Sequence, residues 1–339
     1  MVWKEIPPLD KLDKLDKNIL YQKDSTPLLF YGENLKTTDF FNANTLQNLL
    51  KNKKVENLPL IYLKTLPDFI YYQEEILNSN LSFLPSSPLP LGITLLGNQE
   101  QVFIHPQAVV HPSCSLDTRK GPIYIDSCAE VMPFAFIQGP AFIGENTLVD
   151  SGSIIQGGCF LGKGCKIRGE LETSIFLDYT NKHHAGFVGH SYVGSFVNFG
   201  ALSTTSDLKN NYGAISFLTQ KEKIKTSYIK LGSFIGDHAK IGIGSLLNSG
   251  TSIGIGANLF GGKGVFPKWI PSFAWGSSYP FKSYRWEEFK TNIIKIMQRR
   301  KQKLSKEQWD ILKNLYDSQA QEFYKEMPFF VENNKKRIF

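Results

Sequence analysis

The sequence has little that would place it in a membrane or in an oxidising compartment. It holds four cysteines among 339 residues and has no Cys-x-x-Cys pair, which favours a reducing environment. No apolar run approaches the roughly 18 residues that a membrane-spanning helix needs. Residues 1–17 repeat Lys-Leu-Asp and lack the apolar segment of a signal peptide. We therefore expect a cytoplasmic protein with no membrane partner.

Glycine is scarce near the N-terminus and abundant in the middle of the chain. The first 100 residues contain three glycines, whereas 24 of the 28 lie between Gly121 and Gly264. Positive charge is also uneven, because residues 282–339 hold 14 Lys and Arg against 8 Asp and Glu, in a chain of net charge +7. A hydrophobic content of 42% is enough for a large core and excludes a disordered chain. The length and the uneven composition indicate two or three structural units.

Aliphatic residues recur every six positions in the glycine-rich centre. Period six fits neither an α-helix nor an alternating strand, but it fits a coil of three short strands separated by sharp corners. The stacked coils share a core that no single coil could bury. Small residues, including Cys159 and Cys165, follow most of the aliphatics by four positions, and we interpret both cysteines as core residues. The first run holds Ile125, Val131, Ile137, Ile143, Val149, Ile155, Leu161 and Ile167, and a second run extends from Ile229 to Val265.

The fold class that follows is mainly β, with a parallel β-helix between two smaller parts. Residues 1–99 are expected to form a small α/β module and linker, with helices at 44–53 and 67–77. The β-helix is expected over 100–272, interrupted by loops at 169–186 and 203–227. A helical extension is expected over 273–339, with helices at 286–303 and 305–325, the second starting at a capping box on Ser305.

The basic run Arg299-Arg300-Lys301 lies on the first of these C-terminal helices. No folded nucleic-acid-binding motif accompanies it and acidic residues are interspersed, so we expect no nucleic-acid partner. We interpret the run as a solvated helix face. Attraction of an anionic cofactor is the weaker alternative.

Several strings in the centre resemble the hexapeptide-repeat acyltransferases. They are most similar to the glucosamine-1-phosphate N-acetyltransferase half of the bifunctional enzymes that make UDP-N-acetylglucosamine, and nearer still to a divergent branch of Bacteroidetes-type bacteria. The resemblance implies a left-handed β-helix, a homotrimer with active sites between subunits, acetyl-CoA as co-substrate, a small-molecule sugar acceptor and no metal. The strings are 131–135, 143–146, 193–201 and 234–237, with 121–125, 181–184, 186–192, 206–213 and 258–262 for the branch.

The resemblance also implies site residues. His184 matches the histidine that removes a proton from the sugar amine, and an unperturbed histidine pKa near 6.5 suits that task. Spacing alone leaves His183 and His184 as exposed loop residues, and His183 and His190 are reserves for the base. Substrate contacts are expected from Asn198, Lys182, Arg168, Lys209 and Phe187, and cofactor contacts from Gly200, Ala201 and Ser203.

The sequence departs from the family at two positions that bind phosphate and at two further positions of the site region. Gln138 stands where the family has an Arg, Glu172 where it has a Lys, Phe187 where it has a Tyr, and Leu202 where it has a Gly. Fewer cationic partners weaken binding of a sugar phosphate. We expect no uridylyltransferase activity, because residues 1–99 are too few for that domain and lack a Gly-rich phosphate loop.

These observations bear on three functions. The favoured one is transfer of an acetyl group from acetyl-CoA to an amino sugar phosphate or sugar nucleotide. The alternative is a β-helix that has lost catalysis and serves as a binding or scaffold protein. A zinc hydratase of the γ-carbonic-anhydrase kind is rejected, because no histidine between His111 and His183 supplies the upstream ligand.

Overall fold

The computed structural model describes residues 65–219, 222–261, 264–278 and 280–323, with side chains as far as 319. Nearer the N-terminus it describes residue 63 and five backbone segments. In these, Ile19–Lys23 pairs antiparallel with Thr26–Tyr31 and parallel with Lys54–Asn57, and Val2–Trp3 pairs antiparallel with Leu60–Ile61. Strands are therefore present in the expected N-terminal module. The helix expected at 44–53 lies outside the described residues.

The centre of the chain is a β-helix with three faces of parallel strands. The first face holds Val102–Ile104, Ile123–Ile125, Ala141–Ile143, Cys159–Leu161, Ile175–Phe176, Tyr192–Val193, Phe234–Ile235, Ser252–Ile253 and Trp269–Ile270. The second holds Val109–Val110, Glu130–Val131, Leu148–Val149, Lys166–Ile167, Asn181–Lys182, Asn198–Phe199, Lys240–Ile241, Asn258–Leu259 and Ala274–Gly276, with Lys282–Ser283 added antiparallel. The third holds Thr94–Leu96, Ser115–Asp117, Phe136–Gln138, Ile154–Ile155, Glu170–Glu172 and Phe187–Gly189, continued by the pair Thr204–Thr205 and Leu246–Leu247.

The six-residue period places one aliphatic side chain of each strand inside the β-helix. All eight residues of the first run, from Ile125 to Ile167, have no exposed surface. The register stacks them coil on coil, so that Ile125 pairs with Ile143 and Ile143 with Leu161. Cys159 and Cys165 are free and fully buried among them, and burial raises the pKa of each thiol to about 12. The predicted fold class, a left-handed parallel β-helix with a C-terminal helical extension, is confirmed.

The prediction of a loop over 169–186 is wrong. Strands Glu170–Glu172, Ile175–Phe176 and Asn181–Lys182 continue the three faces through this segment. Stacked positions are eighteen residues apart from Ile143 to Leu161 but only fifteen apart from Leu161 to Phe176. A shortened coil therefore shifts the hexad without interrupting the stack. As a result Lys182 pairs beside Ile167 and takes an inward position in the core.

The second expected interruption, 203–227, is a real excursion. The chain leaves the stack after Thr204–Thr205 and returns at Phe234–Ile235. Between them Ser216–Leu218 and Lys223–Lys225 form an antiparallel hairpin. Ile229, assigned to the second aliphatic run, lies in this excursion and is 54% exposed.

The excursion packs on the first face together with two N-terminal helices, α1 (Leu66–Tyr71) and α2 (Gln73–Leu81), which match the helix expected at 67–77. Ile215, Phe217 and Leu231 share a buried cluster with Ile70 of α1. The Tyr228 ring stacks on Tyr71 at 4.5 Å between centroids. These contacts cover the first face.

Two C-terminal helices close the last coil. Helix α3 (Trp286–Arg299) buries Phe289, Ile293 and Met297, spaced four apart on one side of the helix, against Phe273. Helix α4 (Lys306–Phe323) begins at the expected capping box: Ser305 N donates to Gln308 Oε1 at 2.8 Å, and Gln308 N donates to Ser305 Oγ at 3.2 Å. Within the described residues, no helix combines the length and the apolar character needed to cross a bilayer.

Candidate functional site

A groove of about 530 Å³ lies between the second face of the β-helix and the C-terminal end of α3. We call it the basic groove. The second face contributes outward side chains of four adjacent strands, and its corners contribute histidines and aromatic rings. The C-terminal end of α3 contributes Arg299 and the residue that follows the helix, Arg300. No Asp or Glu among the described residues lines it. The residues used below are Lys166, Asn181, Asn198, Lys240, Tyr179, Phe196, His183, His184, Arg299 and Arg300.

His184 lies at one edge of the basic groove, on the corner 183–186 that joins the second and third faces. Its side chain is exposed, and its ring meets the His183 ring edge-on at 5.9 Å between centroids. Gly186 completes the corner with φ +132°, a value that favours glycine, and a Cβ there would lie 2.2 Å from Ser203 O. The corner thus presents an exposed imidazole from a constrained backbone.

Lys182 anchors that backbone from inside the β-helix. Its side chain is completely buried, and its ammonium donates to the carbonyl oxygens of His184 and Ala185, the second at 3.1 Å. Burial lowers the pKa of Lys182 to about 8. The expected substrate contact from Lys182 is therefore wrong: in the shortened coil its side chain points inward, away from any substrate.

His183 is the partly buried member of the histidine pair. Its Nε2 lies 3.6 Å from Asp150 Oδ2, and its Nδ1 is buried without a hydrogen-bond partner in the described part of the chain. Burial lowers the pKa of His183, and Asp150 opposes this only in part. His183 is therefore neutral at neutral pH, with a ring nitrogen able to accept a proton.

Of the other expected substrate contacts, one lies in the basic groove. Asn198 lines it and accepts a hydrogen bond from the Asn181 amide at 2.8 Å. Arg168 is exposed and near enough for its charge to act on His183. Phe187 lies on the third face, and Lys209 lies in the excursion with its ammonium on Ala214 O, so neither lines the groove.

The expected cofactor residues lie one coil further along the same edge. Gly200, Ala201 and Ser203 form the corner after Asn198–Phe199. Ser203 has no exposed surface, and its hydroxyl donates to Gly200 O. Its side chain is thus a buried corner support, which leaves Ala201 and the backbone of Gly200 as the parts of the trio that a ligand could reach.

A second polar cluster, which the sequence did not indicate, lies at the root of the excursion. His190 Nδ1 is 2.7 Å from Asp207 Oδ2, and Lys230 donates to Glu172 Oε1 at 2.7 Å. Glu172, His190 and Asp207 hold their ligand atoms within 4.8 Å of one another, a spacing that could suit a metal ion, but Lys230 already neutralises Glu172. Glu172, His190, Asp207 and Lys230 come from four separate segments, so no local sequence motif predicts the cluster.

The basic groove itself was also missed by sequence reasoning. The sequence predicts a solvated helix face for residues 299–301, yet Arg299 and Arg300 line the groove at the end of α3. Lys240, more than fifty residues earlier, forms its opposite wall. The doublet of arginines at a helix end was the available signal.

Comparison with known proteins gives partial matches, and no family model matches the chain. The bifunctional protein GlmU of Methanococcus vannielii is 31% identical over 103 residues, which is 30% of this chain and 24% of that protein. A bifunctional sugar-1-phosphate nucleotidylyltransferase/acetyltransferase of Sulfurisphaera tokodaii is 28% identical over 126 residues, 37% of this chain and 31% of that protein. The chain therefore spans less than a third of the length of these relatives.

Solved structures align with about 60% of the chain at low similarity. The polySia-specific acetyltransferase NeuO aligns with 59% of this chain and 83% of its own, at 12% identity and a TM-score of 0.34. A UDP-N-acetylglucosamine acyltransferase from Campylobacter jejuni aligns with 62% of this chain and 90% of its own, at 13% identity and a TM-score of 0.28. These scores carry no argument about activity. Over about a third of its length, the chain is a distant homologue of the bifunctional sugar-1-phosphate nucleotidylyltransferase/acetyltransferases.

Proposed function

We propose that the protein is an acyltransferase that moves an acetyl group from acetyl-CoA to the amino group of a sugar phosphate or sugar nucleotide, with His184 as general base. The observation that carries the proposal is an exposed imidazole, held on a constrained corner at the edge of a cationic groove. The distant relationship to a bifunctional sugar-1-phosphate nucleotidylyltransferase/acetyltransferase supports it.

The reaction requires the protein to accept one proton from the amine. As the sugar nitrogen attacks the thioester carbon, a C–N bond forms, the C–S bond breaks, and CoA leaves as its thiol after taking up a proton. His184 accepts the proton that the amine loses, which raises the rate when the imidazole is neutral. His183, whose pKa is lowered by burial, is the reserve for the same step. A backbone N–H at a coil corner would stabilise the oxyanion.

We expect the active protein to be a homotrimer. The third face carries outward apolar side chains, and Ile154, Leu246 and Val265 are each 41–52% exposed. Exposed apolar patches on a regular surface favour self-association. In a trimer, the corner with His184 would lie close to a neighbouring subunit.

The test of the proposed base compares three histidine variants in steady-state acyl transfer. Replacing His184 by Ala should lower kcat/KM by about 100-fold or more, the usual contribution of a general base. His111→Ala is the matched control, because His111 is a half-exposed histidine paired with Glu130 outside the groove. That control should retain full activity. An unchanged kcat/KM in His184→Ala would remove His184 from the mechanism, and loss in His183→Ala alone would transfer the assignment to His183.

A β-helix that binds but does not catalyse is the second candidate, and two contacts favour it. Gln138 donates to Asp117 Oδ2 at 3.0 Å, and Glu172 is paired with Lys230. Neither residue supplies the cationic phosphate contact expected of the acetyltransferases. Calorimetry with acetyl-CoA and candidate amino sugars separates the two functions: binding without any acetylated product favours the scaffold, and product formation excludes it.

A further inference from the structure

Lys240 is a partly buried cation in the basic groove with no carboxylate partner among the described residues. Its ammonium donates to Phe196 O at 2.8 Å and to His238 O at 3.0 Å, and both acceptors are neutral carbonyls. An ammonium carries three hydrogens, so one remains for a further partner. Burial lowers the pKa of Lys240 to about 7, because no described carboxylate offsets the lost hydration. A partly buried cation in this setting is stabilised by a bound anion.

His238, next to Lys240, also lacks a hydrogen-bond partner that a bound ligand could supply. The residue is 6% exposed and lines a neighbouring cavity of about 290 Å³, which shares Lys240 and Arg299 with the basic groove. Its Nδ1 has no hydrogen-bond partner in the described structure. Burial lowers the pKa of His238 to about 3, so the ring is neutral. A neutral imidazole nitrogen left without a partner is costly, and a ligand hydroxyl or phosphate oxygen would satisfy it.

The opposite wall adds permanent positive charge. Arg299 and Arg300 end α3 beside the groove, and Lys166 lies on the second face below them. Three permanent cations, together with Lys240 when it is protonated, thus line a space that no described carboxylate enters. A single carboxylate would neutralise only a minor part of this charge. Arginine pairs and lysines in such number suit adjacent phosphate groups.

An aromatic and amide wall completes the groove. The Tyr179 and Phe196 rings stack at 4.9 Å, and Phe196 stacks on His238 at 5.3 Å between centroids. Along the neighbouring strand positions, Asn181 and Asn198 present side-chain amides. Flat rings suit a nucleobase, and amides suit ribose or base polar atoms. The volume of about 530 Å³ lies in the range of small-ligand sites.

We propose that the basic groove binds a nucleoside diphosphate, with the diphosphate between Lys240 and the Arg299–Arg300 pair and the base toward the Tyr179–Phe196 stack. The inference deepens the proposed function, on which the choice of nucleotide rests. Two ligands of an acyltransferase carry this chemistry: a sugar nucleotide presents a uridine-type diphosphate, and acetyl-CoA presents an adenosine diphosphate.

The experiment is isothermal titration of the full chain with UDP and with ADP, at one fixed moderate salt concentration. The double variant Arg299→Gln/Arg300→Gln should weaken nucleotide binding by about tenfold or more, since charge-assisted phosphate contacts are lost. The matched control Lys290→Gln/Lys303→Gln removes two exposed charges from the same region but outside the groove, and should leave affinity within about threefold. Uridine and adenosine should bind far more weakly than the nucleotides.

Lys240→Met provides a second readout. Above the pKa of Lys240, an incoming phosphate should draw a proton onto the amine, so wild-type binding enthalpy should vary with the ionisation enthalpy of the buffer. That proton uptake should be absent in Lys240→Met. Stronger binding of UDP assigns the groove to the acceptor nucleotide, and stronger binding of ADP assigns it to the acyl donor.

Three results of the titrations would overturn the proposal. Absence of UDP and ADP binding, equal affinity for nucleoside and nucleotide, or equal weakening by the two double variants would each contradict it. Nucleotide binding should survive His184→Ala, because His184 lies at the edge of the groove and supplies no permanent charge. Nucleotide binding without acyl transfer by the wild type would refute the proposed function alone, and transfer without nucleotide binding would refute the groove assignment alone.

Discussion

Replacing Lys182 by methionine perturbs the most unusual residue of the β-helix. Lys182 stands in the core between Ile167 and Phe199, at a position that hydrophobic side chains otherwise occupy. Methionine has a similar length and no charge, so it should fill the same space. The substitution removes the buried ammonium and its two bonds to the corner carbonyls of His184 and Ala185.

The magnitude follows from the lowered pKa. Burial takes the pKa of Lys182 from its ordinary 10.5 to about 8. A difference of that size corresponds to about 3 kcal/mol at 1.36 kcal/mol per unit. Between pH 8 and 10.5 the unfolded chain binds more protons at this site than the folded chain, so the free energy of unfolding rises with pH. Below that window both states are protonated and the full cost of the buried charge is present.

The assay is urea unfolding over a series of pH values, followed by tryptophan fluorescence. Relative to Lys182→Met, the wild type should gain about 3 kcal/mol of unfolding free energy between neutral pH and about pH 10.5. Loss of two carbonyl partners affects the variant equally at every pH, and Lys240 titrates in both proteins, so the difference isolates Lys182. Lys290→Met, at an exposed position, should run parallel to the wild type. If the free energies of unfolding of Lys182→Met and the wild type varied with pH in the same way, a charged, buried Lys182 would be contradicted.

Two further predictions concern the coil. In the native protein only Cys128 should react rapidly with a thiol reagent, because Cys128 is exposed whereas Cys114, Cys159 and Cys165 are buried and have raised pKa values. All four cysteines should react after unfolding. Rapid labelling of more than one thiol in the native protein would contradict this packing. Gly186→Ala should lower the free energy of unfolding by at least about 3 kcal/mol, because the new Cβ would lie 2.2 Å from Ser203 O. Gly244 also has a positive φ, but nothing lies within 4 Å of its Cβ position, so Gly244→Ala should lower the free energy of unfolding by only about 1 to 2 kcal/mol. Thermal unfolding of both variants measures the difference.

The sequence predicts the regular coils well because each hexad repeats the same physical demand. One inward aliphatic and one small corner residue suffice to place Ile125 through Ile167 in a shared core. The prediction fails at 169–186 because a coil of fifteen residues breaks the period while the backbone pairing continues. A lysine among polar neighbours then has the pattern of a loop residue, although the stack turns Lys182 inward.

The candidate site was predictable in part for a related reason. His184 and Asn198 lie on strands and corners of the repeat, where local spacing and resemblance give their positions, and both line the basic groove. The remaining wall comes from α3, far along the chain. Only the packing of Phe289, Ile293 and Met297 on the last coil brings Arg299 and Arg300 to it. No periodic pattern encodes that contact.

The measurement that tests the central claim most directly is detection of the acyl product. The wild-type chain is incubated with acetyl-CoA and a panel of amino sugar phosphates and amino sugar nucleotides, and each acceptor is examined by mass spectrometry. We expect one acceptor to gain an acetyl group with release of an equal amount of free CoA, and His184→Ala to abolish that gain while His111→Ala preserves it. Acetyl-CoA that stays intact with every acceptor, or product formation that is indifferent to His184, would contradict the account.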